Sequence, residues 1–285
     1  MFIDLNDGKL LDWLLVAQSR NRYSVHGGAR MVRTLAAVEV HPAIEPLEPD
    51  SPLAGMARRR FGGKSLLEWV VRRVSEADRL SGIIVLAGDD SLSRQLCQHC
   101  PPDARVLLCK ARDPLGRFAE AARALACQAL VRLNVSHPFV DPDLIDRLIT
   151  AAEFSGCDYA SYSFADGRPV IQSQLGVFAE WCRTDAILRA DRLATSPADR
   201  GEATRYLYSR PDLFALKMIA VPQRLDRDDL RLAIHDEEDW EELQTIFDAL
   251  GPESLDWQYI ASLLDRQPTM RARMARRNRQ SADVC

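Results

Sequence analysis

No apolar run in the sequence approaches the ~18–20 residues that a membrane span requires, so no spanning helix is expected. The first residues, Met1-Phe2-Ile3-Asp4-Leu5-Asn6-Asp7, lack the basic stretch and the long apolar stretch of a secretory signal. Gly (14) and Pro (15) are too scarce among 285 residues for a disordered or collagen-like chain. Positive charge is not in excess: 37 Lys and Arg against 41 Asp and Glu leave a net charge of −4, which gives no reason to expect a nucleic-acid partner. Seven cysteines form an odd set, scattered from Cys97 to Cys285 without a disulfide framework, and a reducing cytoplasm is the simplest expectation. Internal repeats and low-complexity linkers are absent. What is present is ordinary for a folded domain, 47% hydrophobic and 27% charged residues. A chain this long buries a core without metal or disulfide staples.

Residues 1–33 read as an N-terminal helical extension, with Leu10, Leu11, Trp13, Leu14 and Leu15 on a short helix before the Gly27-Gly28 break. Apolar and amphipathic segments then alternate. Leu35–Val40, Gly82–Ala87, Arg105–Cys109 and Ala129–Leu133 read as strands; Leu66–Val74, Leu92–Cys97, Leu115–Leu125 and Asp143–Ala152 read as helices. Further strands are expected at Asp158–Ser163, Phe214–Val221 and Leu230–Ile234, and further helices at Thr184–Ala190, Glu237–Leu250 and Leu255–Leu264. This rhythm predicts one α/β domain over 34–265, a mostly parallel central sheet with helices on both faces, followed by a basic C-terminal tail over 266–285. Ligands of such sheets bind beyond the carboxyl ends of the strands. Three such places can be named: the loop after Val40, the Asn134–Pro142 loop and the His235-Asp236 turn.

Several segments resemble one family. Gly63-Lys64-Ser65-Leu66-Leu67-Glu68-Trp69-Val70 is similar to the GKPLLEWV helix of sugar nucleotidyltransferases. Asp113-Pro114-Leu115-Gly116-Arg117-Phe118, Pro138-Phe139-Val140-Asp141-Pro142, Thr204-Arg205-Tyr206-Leu207-Tyr208 and Leu230-Arg231-Leu232 follow, in order, segments of the SpsF-type spore-coat polysaccharide cytidylyltransferases. The resemblance runs from about Thr34 to Leu264. It implies a single GT-A-like, Rossmann-like nucleotide-diphospho-sugar transferase domain. It also implies CTP or another nucleotide and a sugar or sugar acid as substrates, Mg²⁺ as cofactor, pyrophosphate release, and a homodimer. Gly55, Arg58, Arg59, Arg60 and Lys64 would then lie on the nucleotide side, and Asp113, Arg117 and Asp141 on the substrate side.

The departures from the family pattern fall in the expected pocket. Pro52 and Met56 stand where the family's first loop has a phosphate-binding Arg and Lys, and neither can pair with phosphate. Ser136 and His235 stand where the family has two metal-binding Asp residues. Mg²⁺ prefers carboxylate oxygens, so the ligands the resemblance implies are not retained. Two functional classes therefore stand: an active cytidylyltransferase-like enzyme of surface polysaccharide synthesis, or a catalytically impaired relative, a pseudoenzyme that binds nucleotide and sugar or partners an active subunit.

Individual residues carry paired readings. Arg58-Arg59-Arg60 would either replace the missing cations or form a solvated basic turn. His137, His235 and Asp236 would either hold a softer ion such as Zn²⁺ or Mn²⁺ or be polar loop residues. Asp113 and Arg117 would cap and brace a helix. Cys97 and Cys100 form a lone pair suited to a helix end rather than a zinc site. The arginines from Arg266 to Arg279 would meet an anionic surface or, more simply, belong to a solvated, partly helical tail.

Overall fold

The computed structural model describes residues 2–3, 34–40, 59–101 and 104–282. The helical extension, apart from Phe2–Ile3, and the loop carrying Pro52, Gly55, Met56 and Arg58 lie outside the described residues.

The central sheet has eight strands in the order β1-β6-β5-β2-β7-β9-β8-β10. They are β1 (Phe2–Ile3), β2 (Thr34–Glu39), β5 (Ile83–Gly88), β6 (Arg105–Cys109), β7 (Ala129–Asn134), β8 (Tyr159–Ser163), β9 (Glu180–Arg183) and β10 (Leu216–Ala220). A short antiparallel hairpin, β3 (Arg60–Phe61) with β4 (Lys64–Ser65), stands apart. Every neighbouring pair in the sheet is parallel except those of β9, which runs against both β7 and β8. The near-continuous apolar strands follow from burial on both faces. Alternate residues of β2 and β5 feed two cores. Ala36, Val38, Val85 and Ala87 join one, while Leu35, Ala37, Ile84 and Leu86 join the other.

The first core is covered by α1 (Leu66–Val74), α2 (Ser91–Cys97), α4 (Pro142–Ser155), α8 (Glu237–Leu250) and α9 (Trp257–Asp265). The second is covered by α3 (Pro114–Ala124), α5 (Thr184–Leu193) and the short α7 (Arg205–Tyr208); α6 (Pro197–Arg200) lies between the last two in the chain. Side-chain caps start the helices where the sequence supplies them. Ser65, Asp90, Asp113, Asp141 and Asp236 each accept an amide from the first turn of α1, α2, α3, α4 and α8, respectively.

Two expectations are corrected and one unanticipated strand is added. Leu230–Ile234 is not a strand: Leu232 N and Ala233 N both donate to Gln174 O, and Ile234 N donates to Ser136 O, so no ladder forms. Glu180–Arg183 is a strand that no apolar alternation announces. The segment after Arg266 is no solvated tail: Pro268–Ala282 forms α10, with Met274 fully buried and Arg277 inserted among acidic side chains.

Candidate functional site

The carboxyl ends of β2 and β7 lie side by side, with Val135 N donating to Glu39 O at 3.0 Å. The loop after β7 turns sharply because Asn134 accepts the Ser136 amide on its side chain (2.9 Å) and the His137 amide on its carbonyl (3.1 Å). Ser136 O then accepts Ile234 N at 2.9 Å, which brings the Ser136 loop and the His235 turn together. Arg59, where the loop after β2 re-enters the described chain, reaches the same turn. It pairs with Glu237 at 2.5 Å and lies 4.4 Å over the Trp240 ring. Two of the three places named from the sequence, the Asn134–Pro142 loop and the His235-Asp236 turn, therefore meet past the ends of the central strands, and Arg59 reaches them; residues 41–58 of the first loop lie outside the described residues.

The hairpin that carries Arg60 and Lys64 is pinned by Phe61, whose ring packs on Trp69, Phe139, Trp240 and Phe247. Gly62 has a positive φ of 57°, and a Cβ there would sit 2.5 Å from the Phe247 ring, so a side chain is excluded. Arg60 donates to Gly63 O at 2.6 Å and Lys64 is half-buried in β4. The exposed Arg59–Glu237 pair shows one of the expected phosphate cations held by a carboxylate instead.

The residues expected on the substrate side serve structure. Asp113 caps α3 through Gly116 N (2.9 Å) and pairs with Arg200 at 3.1 Å. Arg117 is buried and donates to Arg112 O. Asp141, only 1% exposed, accepts both Leu144 N and Trp257 N at 3.0 Å and has no surface to offer a substrate. Burial raises its carboxyl above the ordinary range against those two amides.

His137, His235 and Asp236 do not form the expected metal cluster. Asp236 caps α8 and is gripped by Arg277. Burial opposes ionisation of Asp236, but the Asp239 amide and the Arg277 guanidinium hold its carboxyl below the usual range. The guanidinium of Arg277 also meets Asp239 at 2.7 Å and Glu238 at 3.2 Å, and Arg231 meets Asp239 at 2.6 Å. The acids of this turn are thus neutralised by two arginines. Burial, followed by nearby Arg231, lowers His235, and burial lowers His137 to about 3, so both imidazoles are neutral. Among the described residues no group of three or more His, Cys, Asp or Glu side chains could hold a metal ion. Ser136 and the two neutral imidazoles do not fit the Mg²⁺ that the resemblance implies.

Under the site lies a buried polar network not anticipated from the sequence. Arg132, in the middle of β7, meets Glu39 at 2.8 Å and Glu180 at 2.7 Å. Glu180 also accepts the Tyr159 hydroxyl (2.5 Å) and the Thr204 hydroxyl (2.7 Å). Burial, reinforced by Glu180, pushes the Tyr159 phenol well above its usual range. A cavity of about 20 Å³ beside it is lined by His137, Ser161, Ser173 and Glu180, among others. The one available signal was a charge inside an apolar strand, Val131-Arg132-Leu133, since a buried charge requires partners.

A mostly parallel sheet with one reversed strand, and with loops gathered past its central carboxyl ends, defines an open α/β domain whose ligands are expected at those ends. The profile of the MobA-like NTP transferase domain family matches residues 54–213, more than half of the chain, and the chain belongs to that family. It is 25% identical over 224 residues to the spore coat polysaccharide biosynthesis protein SpsF of Bacillus subtilis, covering 76% of this chain and 90% of that one. Its fold matches a cytidylyltransferase from Leptospira borgpetersenii with a TM-score of 0.70 at 16% identity, over 85% of this chain and 97% of the other. It also matches a CMP:2-keto-3-deoxy-manno-octonic acid synthetase solved with CTP, with a TM-score of 0.54 at 12% identity, over 76% and 99% of the two chains. Identities this low establish a shared fold. No helix among the described residues is long and apolar enough to cross a membrane.

Proposed function

We propose that the protein transfers a cytidylyl group from CTP to a sugar, in the synthesis of a surface polysaccharide. An acceptor oxygen forms a bond to the α-phosphorus, the bond to the bridging oxygen breaks, and pyrophosphate leaves with that electron pair while the acceptor's proton passes to solvent. The observation that carries this reading is the meeting of the Ser136 loop, the His235 turn and Arg59 past the ends of β2 and β7 in a chain of the MobA-like NTP transferase family. The resemblance to a spore-coat polysaccharide protein supports the biological setting. In such transfers the protein works mainly by positioning and by neutralising charge.

A second reading, a relative that binds nucleotide and sugar without turnover, draws on the neutral Ser136 and His235 and on the arginine-bound acids beside them. Calorimetric titration with CTP, with and without Mn²⁺ or Mg²⁺, combined with a pyrophosphate-release assay, separates the two. Binding with release supports the enzyme; binding without release supports the silent relative; absence of CTP binding overturns both. The double variant Ser136→Asp/His235→Asp is expected to gain divalent-metal binding, because the two positions are joined through the Ser136 O to Ile234 N bond. A folded double variant with no metal affinity would remove the assignment of these positions.

A further inference from the structure

Four acids in a row, Asp236-Glu237-Glu238-Asp239, stand at the start of α8 beside the His235 turn. A site for an anionic ligand needs counter-charge for such a run, and either a divalent cation or cationic side chains can supply it. Here the counter-charge is arginine. Arg277, reaching in from α10, takes both oxygens of Asp236 and meets Asp239 at 2.7 Å and Glu238 at 3.2 Å. Arg231 takes both oxygens of Asp239, at 2.6 and 3.1 Å. Asp239 also accepts His235 N at 2.9 Å, and Asp236 accepts Asp239 N at 2.9 Å. Every oxygen of Asp236 and Asp239 is thus spent on nitrogen donors, and neither carboxylate is left to enter the oxygen shell that Mg²⁺ requires.

Glu237 is held differently. Its partner is Arg59, at 2.5 Å. Burial sets this pair apart: the Arg277 and Arg231 side chains are 8% and 4% exposed, whereas Arg59 and Glu237 are 39% and 61% exposed. An ion pair so open to water contributes little. A phosphate chain carries more charge than one carboxylate and matches the guanidinium fork equally well. The Trp240 ring, 4.4 Å from the Arg59 guanidinium, gives that side chain a footing that does not depend on Glu237. Trp240 is itself buried and packs on Phe61, the residue that pins the hairpin. Arg59 is therefore a cation fixed on its aromatic side and readily released on its acidic side.

We propose that the site holds the phosphate chain of its ligand with arginine in place of a divalent cation: Arg59 exchanges Glu237 for phosphate oxygens, while Arg277 and Arg231 keep the other acids of the turn from repelling them. The inference rests on the nucleotidyl-transfer reading, which puts a nucleotide's phosphates at these loops.

The test is calorimetric titration of the full chain with inorganic pyrophosphate, in EDTA and in excess Mg²⁺. Pyrophosphate is expected to bind in EDTA at least as tightly as with Mg²⁺. Arg59→Gln is expected to weaken that binding about tenfold, the loss of one charge-assisted contact. Glu237→Gln removes the competing carboxylate and is expected to tighten it about two- to fivefold. Arg192→Gln, at an exposed arginine of α5 on the other face of the sheet, is expected to leave it unchanged. Absence of pyrophosphate binding, binding tenfold weaker in EDTA than with Mg²⁺, binding that survives Arg59→Gln, or binding that Glu237→Gln fails to tighten overturns the inference. CTP titration under the same two conditions keeps the readings apart: CTP bound only with Mg²⁺ removes this inference and leaves the transfer reading, whereas CTP bound in neither condition removes the transfer reading as well.

Discussion

Strands β5 and β6 and strands β7, β8 and β9 belong to one sheet, yet their interiors differ in kind. Between β2, β5 and β6 the buried side chains are apolar: Ile84, Leu86 and Leu107 on one face, Val85 and Val106 on the other. Between β2, β7, β9 and β8 the interior holds Glu39, Arg132, Glu180 and Tyr159, joined by direct contacts. The apolar half needs no partners and tolerates gradual change. The polar half lies under the converging loops, and each member depends on the others, because an unpaired buried charge costs several kcal/mol. Stability and site architecture are thus carried by different halves of the same sheet.

Removing the central cation tests this division most severely. Arg132→Met leaves two carboxylates facing each other in the interior and is expected to cost about 3–5 kcal/mol in urea unfolding. Adding Glu39→Gln and Glu180→Gln is expected to restore much of that loss, a rescue with no counterpart in the apolar half. Leu107→Ala, at a site 1% exposed, is expected to cost about 2–4 kcal/mol from lost apolar burial and the cavity left behind, with no second change in the polar half able to compensate. If Leu107→Ala were rescued by the Gln substitutions, the two halves would be one unit.

The smallest effect is a pH slope. His137 is neutral when folded because burial lowers it to about 3, while the unfolded imidazole titrates near its ordinary ~6.5. Between those values the unfolded chain holds the extra proton, so stability rises with pH and falls on acidification, by up to ~1.4 kcal/mol per unit for one group. Above ~6.5 the contribution is constant. His137→Gln is expected to flatten that slope, measured as the urea midpoint from pH 7 to pH 4.5.

The sequence made the apolar half legible and left the polar half largely hidden. Gly82–Ala87 announces β5 because a strand buried on both faces reads as an unbroken apolar run, and Glu237–Leu250 announces α8 through its cap and its periodicity. Strand β9 was invisible because Glu180-Trp181-Cys182-Arg183 is short and its Glu180 points into a network completed by distant residues. Leu230–Ile234 has a strand's composition, but its amides are taken by Gln174 O and Ser136 O. The arginines of α10 read as solvated because their acids, Asp229, Asp236 and Glu242, lie far away along the chain. Of the candidate site, the meeting of the Asn134–Pro142 loop with the His235-Asp236 turn was legible from the strand ends. The use of Asp141 and Asp236 as caps, and of Arg277 as their neighbour's counter-charge, depends on tertiary placement.

Leu232, Ala233 and Ile234 form a short bridge slung between two anchor points, Gln174 O on one bank and Ser136 O on the other. The far end of the bridge carries His235. Nearby Gly176 has a positive φ of 60°, and a Cβ there would sit 2.6 Å from Leu232 O, so the spacing of the bridge admits no side chain. The backbone of Gln174 and the histidine turn are therefore held at one fixed separation, closer than any residue but glycine at 176 would permit.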